Sequence, residues 1–229
     1  MTASTGSPLR RAGGLSAIVL LACALVVGVH ALTRDRIEAA QRLAQRQALA
    51  IVLPPSLYDN DPLADSVRVV APAWLGTDAP VTVRRARRGG HATAMVLEAV
   101  APDGYGGPIV LLVGVDRTGR ITGVRVTAHR ETPGLGDAID IRRSGWIRRF
   151  EQRALGDPPE AGWTVKSDGG DFDQFAGATM TPRAVVKAVH RVLALIRKHG
   201  DRLYAAPAGS ELRFGDAPDL LLPGEEAPP

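Results

Sequence analysis

With a single cysteine, Cys23, the chain has no intramolecular disulfide framework and no cysteine-only metal cluster. Its five histidines (30, 91, 129, 190 and 199) form no HExxH and no tight ligand spacing, which argues against a zinc site. Aromatic residues are scarce, at 4% of 229. Charge of one sign is not in large excess either: 28 Lys and Arg stand against 24 Asp and Glu. The 25 glycines and 17 prolines accompany 45% hydrophobic residues, a balance that excludes collagen and wholesale disorder. No internal repeat is visible. What remains is one globular domain with appendages.

Charge is missing altogether from one stretch. Between Ala12 and Thr33 there is no Asp, Glu, Lys or Arg, and residues 13–32 approach the ~20 apolar residues that cross a bilayer as a helix. The stretch is apolar all round, interrupted by Ser16 and His30. Arg10 and Arg11 precede it, so the positive-inside rule puts residues 1–12 in the cytoplasm and exports the rest, although Arg34 and Arg36 weaken the bias. A cleaved signal peptide is the competing reading. Val29-His30-Ala31 fits the cleavage pattern poorly, however, and the run exceeds the ~7–15 residues of a signal core. Leu20-Leu21-Ala22-Cys23 resembles a lipoprotein box, but apolar residues continue beyond it. A retained transmembrane helix is therefore expected. Residues 33–55 follow as a helical stalk: Thr33 can cap it, Ile37, Ala40, Ala44, Ala48 and Ile51 keep its period, and Pro54-Pro55 ends it.

Residues 56–204 carry the exported domain. The patterns at 81–86 and 91–100 suggest strands joined at Arg88-Gly89-Gly90. Residues 108–116 form a β-branched apolar run, and 121–129 alternate at Val124, Val126 and Ala128 with Gly123 as a bulge, so the two make a hairpin. A glycine-rich loop (131–137) follows. The segment 141–155 then reads as a basic helix, with Ile141, Trp146, Ile147 and Phe150 on one face and arginines 142, 143, 148, 149 and 153 on the others. Without an aromatic stacking platform, that helix suggests a solvated or docking face and no nucleic acid. The best-defined helix begins at Thr181 as N-cap and Pro182 as first helical residue, carries the stripe Val185, Val189, Val192 and Ile196, and closes at Gly200. Residues 205–229 hold five prolines and five acidic residues against one arginine, and read as an unstructured tail.

Ahead of that helix lies Asp173-x-x-Ala176-Gly177-Ala178-Thr179. Small residues leave room beside the Thr179 hydroxyl, and a helix start favours a phosphate, although the Gly-Lys-Ser/Thr ending of a P-loop is absent. The segment resembles the flavinylation motif Asp-x-x-(Ser/Thr)-Gly-Ala-Thr of FMN-binding domains. GYGGPI (104–109) and HRETPGLGD (129–137) agree with it. In this order, behind one N-terminal apolar segment, the blocks resemble the G subunits of Rnf ion-translocating electron-transport complexes from about residue 10 to 200. One position departs from the motif: Ala176 stands where Ser or Thr is usual.

The resemblance implies an α+β domain of antiparallel strands and flanking helices on one N-terminal transmembrane helix. It implies FMN joined by a phosphoester to Thr179, placed there by a flavin transferase. Thr181 would cap the helix and touch the phosphate, and Gly177 and Ala178 would give access. Gly134, Leu135 and Gly136 would bring backbone close to the flavin, with Glu131 and Thr132 as polar contacts. His129, Asp173 and Lys166 are weaker candidates. The implied setting is the bacterial inner membrane, with the domain periplasmic and with other complex subunits as partners. The implied role is electron relay between NADH and ferredoxin coupled to Na⁺ or H⁺ movement, without independent turnover. The C subunit of the Na⁺-pumping NADH:quinone reductase, a self-contained flavin reductase and a flavin-free scaffold are the alternatives.

Overall fold

The computed structural model describes residues 49–215 and isolated positions at 25, 30, 33, 34, 36, 46 and 47. The chain divides into two units, Met1–Gln47 and Ala48–Pro229. In the first, the described positions are helical, and the Thr33 hydroxyl donates to the His30 carbonyl at 3.4 Å. Residues 13–24, 26–29, 31 and 32 of the expected transmembrane segment lie outside the described residues. Among the described residues no helix is long and apolar enough to cross a membrane.

The second unit is built on a six-stranded sheet. Strands β1 (Ser66–Val70), β2 (Val81–Arg88), β3 (His91–Ala101), β4 (Ile109–Asp116), β5 (Ile121–Ala128) and β6 (Glu211–Arg213) lie in the order β5-β4-β3-β2-β1-β6. Every neighbouring pair is antiparallel except β1 and β6, which run parallel. The sheet is therefore mixed, a correction to the all-antiparallel expectation. The β2–β3 hairpin turns on Gly89 and Gly90 at φ +56° and +80°, a left-handed pair that glycine adopts without steric cost.

Alternation along the strands assigns the two faces. Val83, Leu97, Val113 and Val115 face a core shared with α1 (Pro72–Leu75) and α2 (Met180–Ala205), whose Val185, Val189, Val192 and Leu193 are buried there. β-Branched residues are indifferent helix formers, so this burial is what holds α2 together. On the opposite face Ala86, Ala94, Val96 and Leu112 meet Leu49, Val52 and Leu53. The end of the expected stalk thus belongs to the domain. Gly114 and Gly123, opposite each other in the β4–β5 register, make that crossing possible: a Cβ on either would strike the Val52 backbone. The neighbouring Thr122 hydroxyl donates to the Val52 carbonyl. The bulge sits at Thr122, one residue before the expected glycine, because Gly114 pairs with Gly123 and Val115 with Ile121.

Three further expectations change. The basic helix over 141–155 is a single 3-10 turn, Trp146–Phe150. Ser144 diverts the chain by donating its hydroxyl to the Ala138 carbonyl at 2.6 Å and accepting the Trp146 N–H at 3.1 Å. Four of its five arginines are claimed individually, Arg142 by Asp140, Arg143 by Asp137, Arg149 by Asp173 and Arg153 by Asp157. Next, α2 does not close at Gly200 but continues to Ala205, because Leu203 and Tyr204 are buried and Arg85 caps the end. Lastly, the chain does not lose structure at 205. β6 pairs with β1, and Phe214 stacks on His199 at 4.3 Å. Residues 216–229 lie outside the described residues.

Arg85 sits where sheet, helix end and chain return meet. Buried on the inner face of β2, it donates to the carbonyls of Leu203 (3.0 Å), Tyr204 (3.2 Å) and Ala206, and pairs with Asp65. Burial pushes the Asp65 carboxyl up, but hydrogen bonds from Arg87 and Arg85 outweigh it and hold the group below its usual 3.8. A carboxyl depressed in the folded state contributes stability above its unfolded pKa and loses it as pH falls towards the folded value. Arg85→Ala is expected to cost about 3 kcal/mol in urea unfolding, since it takes from Asp65 one of its two guanidinium partners and from the Leu203 and Ala206 carbonyls their side-chain donor. Asp65→Asn should remove part of the stability loss seen below about pH 4.

Candidate functional site

Three loops far apart in sequence meet at one carboxylate. Glu131 is 4% exposed. Its Oε1 accepts the Gly106 N–H at 3.0 Å, and its Oε2 accepts the hydroxyl of Thr181, which is fully buried. Glycines surround it because nothing larger fits. A Cβ on Gly104 would lie 2.9 Å from Oε1, and one on Gly136 would lie 2.7 Å from Oε2 and 2.9 Å from the Thr181 hydroxyl. The loop carrying Glu131 is itself held: the Glu131 N–H donates to His129 Nδ1 at 3.2 Å, and the Gly134 N–H donates to Asp137 Oδ1 at 2.8 Å.

The segment before α2 folds as a tight turn in which the Ala178 N–H donates to the Phe175 carbonyl at 3.1 Å. Gly177, at φ +76°, supplies the left-handed third residue. Upstream, Asp173 pins this turn to the domain. Its carboxylate pairs with Lys166 (2.6 Å) and Arg149 (2.7 Å), and its carbonyl accepts the Trp146 indole N–H at 2.7 Å. The hydrogen bond from Lys166 holds the Asp173 carboxyl below its ordinary range. Ala176 is exposed, so the hydroxyl usual at this position would have no interior partner in the folded turn.

Thr179 and Thr181 part company here. Thr179 is partly exposed at the N-cap of α2, and its side chain makes no capping hydrogen bond. Thr181, expected as the cap, lies inside the first turn with its hydroxyl committed to Glu131. Of the two, Thr179 is the one that presents its hydroxyl outward. It does so beside the first N–H groups of a 26-residue helix, which have no intrahelical acceptors and favour an anion.

A cavity of about 580 Å³ opens at this point, within the range of small-molecule sites. Glu131, Thr132, Leu135, Gly136, Gly177, Ala178, Thr179 and Thr181 line it. Gly134, His129 and Asp173 do not; they shape the loops behind it. Sequence reading missed two lining residues, Tyr105 and Met180. The signal for Tyr105 lay in its glycine-flanked block, while Met180 had only its place between two threonines. Tyr105 is 72% exposed, Met180 51% and Leu135 44%, a rim of large apolar side chains that a soluble surface would not favour.

An apolar mouth, polar groups deeper in, and a helix start beside a free hydroxyl suit a planar ring carrying a polar chain and a terminal phosphate. Residues 104–194 match the FMN-binding domain family. Residues 1–52 match the RnfG N-terminal region. The chain is 52% identical over 203 residues to the G subunit of the ion-translocating oxidoreductase complex of Pseudomonas aeruginosa strain PAO1, covering 89% of this chain and 95% of that one. It is 40% identical to the corresponding G subunit of Shewanella baltica strain OS223 (90% and 97% covered) and 42% identical to that of Vibrio vulnificus strain YJ016 (86% and 94% covered). The chain belongs to the family of G subunits of ion-translocating oxidoreductase complexes.

The Glu131–Thr181 contact is buried, so removing either partner leaves a polar group stranded. Thr181→Val and Glu131→Gln are each expected to cost about 1–3 kcal/mol. A double-mutant cycle by urea unfolding should return a coupling above about 0.5 kcal/mol.

Proposed function

We propose that this chain is the covalent-FMN electron relay of a membrane-bound ion-translocating oxidoreductase, with Thr179 as the attachment point. FMN supplies one- and two-electron chemistry when bound, at a potential set by its surroundings. The protein's part is to hold it. Thr179 offers the hydroxyl to be esterified, the start of α2 faces the phosphate, and Thr132, Gly136 and the apolar rim receive the chain and ring. Glu131 and Thr181, bonded to each other and to the Gly106 N–H, act by fixing the loops that hold the cofactor. The observation that carries this reading is the contrast between the free hydroxyl of Thr179 and the committed hydroxyl of Thr181. The names of the relatives support the setting, a complex whose other subunits deliver and accept the electrons. Exchange between NADH and ferredoxin, coupled to Na⁺ or H⁺ movement, is the reaction this reading assigns to the whole complex. A covalent tether prevents loss of the cofactor from a domain outside the cytoplasm.

In the same reading residues 13–32 form a retained membrane helix, 1–12 remain cytoplasmic, and the domain faces the periplasm of a bacterial inner membrane. The apolar run and its flanking arginines support this.

In-gel fluorescence of denatured protein made with the flavin transferase is expected to show a flavin band for the wild type and for Ala176→Ser, and none for Thr179→Ala. A dark wild-type band would overturn the assignment and favour a flavin-free scaffold. Alkaline phosphatase fused after Pro229 is expected to be active in cells, and the intact mass of the membrane-extracted chain should include residues 13–32. An inactive fusion or a mature chain starting beyond the apolar run would refute the topology.

A further inference from the structure

Tyr105 is the least expected side chain on this surface. It occupies the second position of a tight turn closed by the Gly107 N–H donating to the Gly104 carbonyl at 3.2 Å. Its neighbours are fixed facing inward: the Cβ positions of Gly104 and Gly106 are filled by Glu131, Gly107 and Arg130. The Gly106 N–H is tied to Glu131, so the turn is anchored at the same carboxylate as α2. Tyr105 is left 72% exposed at the cavity mouth, with Leu135 and Met180 as the other large apolar side chains of the lining. Its phenol has no hydrogen-bond partner among the described residues. An aromatic ring on an anchored turn, presented to solvent and hydrogen-bonded to none of the described residues, is built to meet a ligand. Aromatic side chains prefer an offset face or an edge of another π system and gain about 0.5–1.5 kcal/mol beyond simple burial.

We infer that Tyr105 is the residue that stacks on the isoalloxazine ring and tunes it, with Leu135 and Met180 completing an apolar grip. This rests on the assignment of covalent FMN to Thr179. Two consequences follow from the chemistry. An electron-rich phenol against the ring disfavours added electrons there and lowers the midpoint potential. The same phenol quenches flavin emission by lending an electron to the photo-excited ring. The electron returns within the pair, so nothing is oxidised overall.

The experiment compares the full-length wild type, Tyr105→Phe and Tyr105→Leu, each made with the flavin transferase. Flavin per chain is measured on denatured protein. Emission per flavin is then compared before and after denaturation, and the midpoint potential is measured. The expected wild type emits several-fold less when folded than when denatured. Tyr105→Leu should recover most of that emission and shift the potential upward. Tyr105→Phe should recover emission and shift the potential upward by less than Tyr105→Leu, since phenylalanine still stacks but is less electron-rich and a poor electron donor. Unchanged emission and potential in fully loaded Tyr105→Leu would overturn the inference and leave the Thr179 assignment standing. A wild type without covalent flavin would overturn that assignment and this inference with it. Should Tyr105→Leu resist loading, Tyr105→Phe decides by the same emission measurement.

Discussion

The Glu131 carboxylate is the constraint on which the site depends. It is buried and hydrogen-bonded on both oxygens, once to a backbone N–H of the turn at 104–107 and once to the hydroxyl in the first turn of α2. A carboxylate placed so deeply is costly unless its acceptors are used, so its two partners cannot drift. The arrangement turns three loops into one surface. It also explains the glycines at 104, 106 and 136, which are small because the carboxylate and the neighbouring backbone occupy the space a side chain would need. The presentation of Thr179 follows: with Thr181 engaged and α2 fixed at its start, the preceding residue is left at the lip of the cavity with its hydroxyl unspent.

A second charged group does comparable work elsewhere. Arg85 gathers the carbonyls at the end of α2 and the carboxylate of Asp65, joining the helix to the sheet at its C-terminus as Glu131 joins it to the loops at its N-terminus. Between the two, α2 is held by valine and leucine packing against the inner face of the sheet. A helix clamped at both ends and buried along its length is a rigid mount, which is what a redox group needs if its distance to partners is to stay constant. The outer face is covered by residues 49–53, which cross bare glycines on β4 and β5. The segment leading in from the N-terminal unit is thereby bonded to the sheet.

Much of this was legible in the sequence. The hairpin of β4 and β5 showed itself through β-branched runs on either side of a glycine turn, and α2 through its valine stripe. The motif blocks delivered most of the cavity lining, because those residues are adjacent in sequence and small for local reasons. The errors share a cause. Residues 141–155 have the composition of an amphipathic basic helix, yet Ser144 and the scattered carboxylates break it into a turn. Gly200 looks like a helix stop, yet the burial of Leu203 and Tyr204 carries α2 past it. β6 stands in a proline-rich acidic region and exists only because β1 offers an edge. Each depended on which groups a residue meets in the fold, which the local hydropathy pattern does not carry.

The sequence by itself determined the family, the acceptor motif, the apolar N-terminal run and the alternating pattern that makes a sheet, since these are written in contiguous residues and in the local preferences of backbone and side chain. Only the tertiary structure decided that Glu131 would be a buried strut between two loops, that the Thr181 hydroxyl would be donated to it while that of Thr179 made no capping bond, and that Tyr105 and Met180 would join Leu135 at the mouth of the cavity. Those outcomes depend on which groups fold to within hydrogen-bonding distance of one another, and a buried carboxylate with two partners permits one answer.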